Sequence, residues 1–565
     1  MSTPVPRRWD EDTALLVVLA GLASVISFLI YFRKGDLLLF GDAVAHINIA
    51  RRIFDSRTPG LLQLGTVWLP LPHLLMLPFV LANGAWQTGI GGSLPSMAAY
   101  TFALPGIFRL VRVAGLGRTT AWLAAAFFGL NPNLLYLQAT AMTEALYLAL
   151  FVWSLVYFGE FLRDPGATRW LWRCGACLFC SSLARYDGWF AAGVLGAMVV
   201  LLAVTRGQIH GKSVTLFLLL AWSGPLLWLT YNAVVYKNAL EFANGPYSAK
   251  AIEKKAEVPG FPAHPGTDNL RVAAAYFLKA GQLNVAEGNW GRWWLGLAVV
   301  GSLACLVRAH VDGPPQRTQA YPSRILLLLW LPVPFYMLSV AHGGVPIFTP
   351  VWWPFSLYNV RYGVQLLPGL TVFVAVAVQW AASLGSTKWT RSAVVAAGAA
   401  CVIASYAGAW RAQPVCYREA WVNSRTRLQL ERSVAEQLTR LPATASLLMY
   451  SGEHVGVLQQ AGIPLARTIN EGNHRAWVRP SDPDGLWERA LADPGKYADF
   501  AVAFEGDPVW KALHDRGLPA LTIIAVNGQK RATIYQTRPL PKLSLVTTRV
   551  NQPVTATAET AFLWR

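Results

Sequence analysis

The chain has 565 residues, of which 54% are hydrophobic and only 14% are charged, whereas about 25% of residues are charged in an average soluble domain. This composition excludes an entirely soluble protein. The formal net charge of +18 is better explained by contact with anionic lipid or phosphate than by nucleic acid, because no basic stretch is interleaved with aromatic residues. We therefore expect the membrane as a partner and no nucleic acid.

About eleven apolar spans follow one another along the chain, and their lengths predict transmembrane helices. The first span follows acidic as well as basic residues and lacks a small-residue cleavage site, so we expect an uncleaved anchor. The spans cover residues 13–32, 93–113, 119–132, 144–162, 171–184, 187–205, 213–236, 291–309, 323–342, 360–383 and 391–410.

Basic residues predict the orientation of these spans. If the N-terminus is cytoplasmic, every inner loop is basic, beginning with Arg109, Arg112 and Arg118 in the first of them. Eleven crossings then place the C-terminus on the outer face. The many Ala, Arg, Trp and Pro residues favour a bacterial source, so we expect a multi-pass protein of the bacterial inner (plasma) membrane.

Three outer loops are long, over about residues 33–92, 237–290 and 343–359. In the first loop, prolines interrupt the apolar segment 67–83, which favours helices lying in the membrane interface over a further span. These loops and the spans form a predicted membrane module over residues 1–410.

From residue 411 onward, charged residues become frequent and apolar runs shorten to the length of strands. This change predicts a soluble extracytoplasmic α/β domain over residues 411–565. Its predicted strands cover residues 447–450, 500–504 and 521–526, and its predicted helices cover residues 423–440, 484–491 and 508–515.

The first candidate site motif is Gly41-Asp42-Ala43-Val44-Ala45-His46, just after the first span. In a helix, Asp42 and His46 share one face, and a carboxylate paired with a histidine one turn on is suited to act as a general base toward a hydroxyl group, so both are candidate catalytic residues. An aspartate that only caps an interfacial helix is the structural alternative. His73, in the same outer loop, is a candidate substrate-binding residue.

Four further motifs fall on the predicted outer face. Arg361 and Tyr362 open the tenth span, and an arginine fork there suits phosphate. Arg185 lies between the fifth and sixth spans; the alternatives are a local pair with Asp187 or snorkelling. The other two motifs contain Glu144, which also suits a helix dipole, and the loop residues Tyr247 and Lys250.

The six cysteines predict neither a disulfide framework nor a metal site. Cys174, Cys177 and Cys180 follow one another at helical spacing in an apolar span, without a fourth ligand nearby, and are best explained as core residues. None of the outer-face motifs contains an Asp-x-Asp pair that would hold the metal of a nucleotide-sugar donor. We therefore expect no required cofactor and assign no metal ligands; a divalent metal is an open alternative that these motifs do not indicate.

Three segments together resemble the GT-C glycosyltransferases, in particular the protein O-mannosyltransferase and aminoarabinose transferase superfamily. They are Gly41-Asp42, the stretch from Asn131-Pro132 to Met142-Thr143-Glu144, and Arg361-Tyr362-Gly363 with Pro368, in this order between about residues 13 and 370. The resemblance implies a GT-C fold and a donor sugar carried on polyprenyl phosphate. It also implies that Asp42 is the catalytic carboxylate and Glu144 the second acidic residue.

The expected reaction is an inverting transfer to an acceptor hydroxyl of a lipid, a glycan or a protein. The departing phosphate needs its charge stabilised, and we expect Arg361, with Arg185 and Lys250, to do so. Two alternatives remain: a transporter or flippase of a lipid-linked sugar, and an oligosaccharyltransferase. Apolar midplanes disfavour the first, and the missing tryptophan-rich motif disfavours the second.

Overall fold

Helices form most of the chain, and the computed structural model describes residues 11–206, 211–256, 262–311, 322–473, 484–538 and 550–551. All eleven predicted spans are helical. The first eleven helices are α1 (Glu11–Lys34), α2 (Gly41–Arg52), α3 (Pro70–Val80), α4 (Asn83–Thr88), α5 (Ile90–Val113), α6 (Arg118–Gly129), α7 (Pro132–Gln138), α8 (Glu144–Arg163), α9 (Thr168–Ala184), α10 (Asp187–Arg206) and α11 (Gly211–Tyr236). The next eight are α12 (Glu241–Asn244), α13 (Ala249–Ala256), α14 (Leu270–Val285), α15 (Trp290–Val311), α16 (Pro332–His342), α17 (Leu367–Ser383), α18 (Lys388–Arg411) and α19 (Val415–Leu438).

Within the described residues, nine helical segments are long and apolar enough to cross a bilayer, which makes this a multi-pass membrane protein. A helix satisfies its own backbone hydrogen bonds, as the hydrocarbon core requires. The remaining two predicted spans are the shorter helices α6, with 12 residues, and α9, with 17.

Two predicted spans begin as 3-10 helices rather than α-helices. The segments Pro322–Trp330 and Val360–Leu366 precede α16 and α17, respectively. Each α-helix then has a proline in its first two positions, Pro332 and Pro368. A proline lacks the N–H that would continue the preceding helix but fits the first turn of a new one, so the helix type changes there.

The segments 33–92 and 237–290, predicted as outer loops, are largely helical. The predicted interfacial segment 67–83 contains α3, which packs against α2 and α5. The predicted loop 237–290 contains α12 to α14, and α14 is a helix of 16 residues that packs against the 3-10 turn Val360–Leu366. The sequence did not predict α14, because polar residues such as Lys279 and Asn284 interrupt its apolar pattern; both are buried.

After α19 the chain forms a six-stranded mixed sheet in the order β2-β1-β3-β5-β4-β6. β1 pairs in parallel with β2 and β3, and β5 pairs antiparallel with β3 and β4. All three predicted strands are present as β1, β3 and β4, whereas β2, β5 and β6 were not predicted. The elements are β1 (Leu447–Met449), α20 (Gly456–Ala461), β2 (Thr468–Ile469), α21 (Leu486–Ala492), α22 (Pro494–Tyr497), β3 (Phe500–Phe504), α23 (Pro508–Leu513), β4 (Ala520–Ala525), β5 (Ala532–Gln536) and β6 (Val550–Asn551).

Helix α19 joins the membrane helices to the sheet. Near its start, the Cys416 backbone N–H donates to Asn133 Oδ1 at 2.8 Å and the Cys416 thiol to Asn284 Oδ1 at 3.1 Å. Farther along, Leu430 and Val434 are buried in the core that continues into the sheet. The α/β region is therefore anchored on the end of the bundle where the site motifs meet. The predicted boundary at residue 411 stays a prediction.

Candidate active site

A cavity of about 700 Å³ lies where the outer-face motifs converge. Large apolar and aromatic side chains form much of its wall, with few charged groups among them. Five predicted site residues line it: Asp42, His46, Arg185, Tyr247 and Tyr362. Further aromatic residues in the wall are Trp68, Tyr186, Phe335, Tyr336, Phe348, Trp353 and Tyr358.

Asp42 lies in the first turn of α2, and its side chain is 30% exposed. The alternative that Asp42 only caps this helix is not what the structure shows, because Phe40 occupies the N-cap position and no side chain caps the helix. Instead, the carboxylate forms an ion pair with Arg361, 319 residues away in the sequence. The motif thus places an accessible carboxylate at the cavity wall.

Arg361 is buried, and it lies against three carboxylates. Besides the ion pair with Asp42, Arg361 Nε lies 3.4 Å from Glu144 Oε1, and Arg361 Nη1 lies 3.5 Å from Glu419 Oε1. Glu419 also accepts the backbone N–H groups of Asn359 at 2.9 Å and of Arg361 at 3.2 Å. Asn359 has a positive φ of 56°, so this carboxylate holds the sharp turn from which Arg361 extends.

Glu419 is a functional candidate that the sequence did not reveal. It lies on α19, outside the segment of the resemblance, and its surroundings are charged enough to read as solvated helix surface. Yet it is 1% exposed. Only its burial against the start of a distant membrane helix indicates that it contributes to the site.

Arg185 connects the start of α8 to the start of α10. Its Nη1 donates to Thr143 Oγ1 at 3.1 Å and to Glu144 Oε1 at 3.3 Å, and its Nη2 donates to the Tyr336 hydroxyl at 2.8 Å. Its Nε donates to Asp187 Oδ2 at 3.2 Å. The proposed local pair with Asp187 is therefore present, but it is one contact of a larger network.

Glu144 and Tyr362 lie between the two arginines. Glu144 is fully buried and contacts both guanidinium groups. The Tyr362 ring centroid lies 5.3 Å from the Arg185 guanidinium carbon and 4.9 Å from that of Arg361, within the range of cation–π attraction. Each arginine therefore has a fixed position before any ligand arrives.

His46 and His73 form a buried pair. His46 Nδ1 lies 2.9 Å from His73 Nε2, and the rings are 3% and 0% exposed. Burial lowers the pKa of His46 to about 4, against an opposing effect from Asp42, and burial lowers the pKa of His73 well below its usual range. Both rings are neutral near pH 7. His46 lines the cavity, whereas His73 does not.

The structure places Tyr247 and Lys250 differently. Tyr247 lines the cavity, but Lys250 is exposed on α13, from which Ala249, Ile252 and Glu253 contribute to the wall. Lys250 is therefore not among the residues that line the site. Lys250 as a phosphate ligand stays a prediction that this arrangement does not support.

Within the part of the chain that the structure describes, no group of three or more His, Cys, Asp or Glu side chains is arranged to hold a metal ion. Asp42 is instead paired with Arg361, and Glu144 and Asp187 are paired with Arg185. The described cysteines are free thiols.

No protein-family model matches the chain, and a search of curated proteins finds no relative. Among solved structures, the chain is similar to ArnT from Cupriavidus metallidurans bound to undecaprenyl phosphate, with 15% identity over 95% of this chain and 99% of that chain and a TM-score of 0.52. ArnT in the apo state matches over 92% and 97%, with 16% identity and the same TM-score.

An archaeal oligosaccharyltransferase from Archaeoglobus fulgidus, solved with a tethered acceptor peptide, is also similar. It has 12% identity over 87% of this chain and 69% of that chain, with a TM-score of 0.50. At these identities the likeness concerns the fold. The matched region includes the membrane helices and the C-terminal α/β region. Together with the convergence of the outer-face motifs, this likeness identifies the fold of this chain as that of the GT-C glycosyltransferases.

Proposed function

We propose that this protein is a membrane glycosyltransferase that moves a sugar from a polyprenyl-phosphate carrier to an acceptor hydroxyl of a lipid, a glycan or a protein. The observation that carries the proposal is the contact of Asp42, at the cavity wall, with the buried Arg361. The solved ArnT complex with undecaprenyl phosphate, on the same fold, supports a lipid phosphate as the ligand class. We also propose a bacterial inner membrane location with the cavity on the extracytoplasmic side.

In this reaction Asp42 is the general base. The acceptor hydroxyl gives its proton to the Asp42 carboxylate, and its oxygen attacks the anomeric carbon of the donor sugar. The bond between that carbon and the phosphate oxygen breaks, and polyprenyl phosphate leaves with the bonding electrons. The products are an inverted glycoside and the lipid phosphate, and the proton from Asp42 passes to water.

Arg361 stabilises the charge that develops on the departing phosphate. Its guanidinium is held on three sides by protein contacts, so little reorganisation is needed when the bond breaks. Arg185, which unlike Arg361 lines the cavity, contributes a second positive charge. The aromatic wall excludes water and strengthens both electrostatic interactions.

The ion pair also suggests an order of events. Arg361 is fixed and buried, whereas Asp42 is partly exposed and hence the partner that can move. A donor phosphate competes with Asp42 for the same guanidinium. Donor binding thus releases the carboxylate toward the acceptor, and the base becomes available when the sugar is in place.

The test is to incubate the purified protein with a panel of polyprenyl-phosphate sugars and candidate acceptors. Mass spectrometry then detects released polyprenyl phosphate and glycosylated acceptor. We expect transfer by the wild-type protein and none by Asp42→Asn, which should still bind the lipid. If Asp42→Asn transfers the sugar normally, the proposed mechanism is wrong; if the wild-type protein only moves the intact lipid-linked sugar across vesicles, it is a transporter.

A further inference from the structure

The buried pair of His46 and His73 serves no purpose in the reaction as described above. A neutral imidazole has one N–H donor and one acceptor nitrogen, so the 2.9 Å contact fixes the two rings relative to each other. Either His73 Nε2–H donates to His46 Nδ1, or His46 Nδ1–H donates to His73 Nε2. In one arrangement His46 Nε2 carries a proton and is a hydrogen-bond donor; in the other it is unprotonated and is an acceptor.

His46 Nε2 makes no hydrogen bond within the described part of the chain, and its ring lines the cavity. In the first arrangement this nitrogen offers a ligand an N–H donor. In the second, it offers an unprotonated nitrogen that can accept a proton. The Trp68 indole packs against the same ring in an edge-to-face contact, with centroids 4.6 Å apart, and holds its orientation.

The other end of the pair favours the first arrangement. His73 Nδ1 is buried and has no hydrogen-bond partner among the described residues. The second arrangement leaves a buried N–H there without an acceptor, which is rare in folded proteins.

The charge near His46 favours the same arrangement. Asp42 precedes His46 by one turn of α2 and lines the same cavity. A carboxylate attracts an N–H dipole and repels a nitrogen lone pair, and the effect of Asp42 on His46 is larger than the opposing effect of either Arg361 or Arg185. Both ends of the histidine pair therefore select the tautomer in which each ring carries its proton on Nε2.

We propose that His73 is a positioning residue that holds His46 as its Nε2–H tautomer, so that His46 donates a hydrogen bond to an oxygen of the phosphate-linked sugar and is not a base. This assignment rests on the proposed function for the identity of the ligand, but the tautomer does not depend on it. It leaves Asp42 as the base and corrects the expectation that His46 shares that role.

The tautomer is measured directly on the unliganded full chain labelled with 15N at its nine histidines. Long-range 15N–1H correlations distinguish the two neutral tautomers, and His46→Gln and His73→Gln assign the signals by their loss. We expect Nε2–H for both rings near pH 7. An Nδ1–H pattern for His46 overturns the proposal, whatever the outcome of the transfer assay.

Kinetics test the use of the N–H. His46→Gln retains an amide N–H close to the position of Nε2, whereas His46→Phe retains the ring and removes the donor. We expect the Phe variant to lose about tenfold in kcat/KM for the lipid-linked donor and the Gln variant to stay within about threefold of wild type. Equal losses in both variants contradict a donor role. In His73→Leu, the His46 signals should shift toward the other tautomer, which a purely structural contact would not cause.

Discussion

The Asp42 carboxylate and the Arg361 guanidinium form an ion pair that joins the start of α2 to the start of the membrane segment leading into α17. The arginine side chain is 7% exposed and that of the aspartate 30%. The pair therefore joins a buried cation to a more accessible anion.

Replacing Asp42 by Asn should separate catalysis from binding. Transfer should fall by about 10³-fold or more, because the base is lost, while affinity for polyprenyl phosphate should rise, because a competing anion is removed. Turnover and equilibrium binding of the lipid phosphate are the two measurements. Asp268→Asn, at an exposed outer-loop carboxylate with a positive φ that asparagine tolerates, is the matched control and should change neither. Reduced lipid binding by Asp42→Asn would contradict the competition.

Replacing Arg361 by Met should strongly destabilise the fold. The buried carboxylates Glu144 and Glu419 would lose an opposing charge, a loss typically worth about 3–5 kcal/mol. We expect a clear decrease in the Tm of the detergent-solubilised protein and loss of lipid-phosphate binding. Arg361→Lys should recover part of the stability but not the geometry that one planar guanidinium provides to three carboxylates. The control is Arg391→Met, at an exposed residue on α18; a Tm loss there equal to that of Arg361→Met would show that the effect is not specific.

Glu419→Gln tests whether the α/β region positions the site. Glutamine can accept only one of the two backbone N–H groups that the carboxylate accepts, and it lacks the charge that faces Arg361. We expect a stability loss of about 1–3 kcal/mol together with weaker phosphate binding. The control is Glu436→Gln on the same helix α19, where the side chain is 65% exposed. We expect it to change neither stability nor phosphate binding. If both variants retain full lipid binding, Glu419 does not position Arg361.

Gly363→Ala should disturb the turn that carries Arg361. A Cβ at this glycine would meet the backbone of Ala280 on α14 in a clash that no side-chain movement relieves. We therefore expect lower yield of folded protein, a lower Tm and impaired transfer. At Gly408 on α18 a Cβ meets nothing within 4 Å, so Gly408→Ala should leave the Tm unchanged or raise it through better helix propensity. An unchanged Tm in Gly363→Ala would show that the packing there can open.

The buried histidines predict how stability depends on pH. The folded-state pKa of His46 is about 4, below the value of about 6.5 in an unfolded chain, so between these values the unfolded state binds more protons. Stability should therefore decrease as the pH falls from about 6.5 to about 4, by about 3 kcal/mol for this residue alone. His73 acts in the same direction. Thermal unfolding at a series of pH values should give a flatter profile for His46→Gln; a wild-type profile that is already flat in this range contradicts the burial argument.

The amino-acid sequence by itself determined which segments are helices in a membrane and which residues gather at one end of them. Apolar blocks of about 20 residues have no stable alternative in a bilayer, so all eleven predicted spans are helical. Polar residues at the ends of these blocks are conspicuous, and Asp42, Glu144, Arg185 and Arg361 could be selected for that reason.

Only the tertiary structure decided which of these residues touch and which others join them. Asp42 and Arg361 are 319 residues apart, and nothing local predicts their ion pair. Glu419 and the polar residues Lys279 and Asn284 of α14 resemble solvated surface in sequence, yet all three are buried. Lys250 carries the right charge but is exposed and does not line the cavity. The hydrophobicity of a segment determines how deeply that segment lies in the membrane. The partner of a buried charge is determined by the tertiary structure, because a buried ion is stable only where folding brings it an opposite charge.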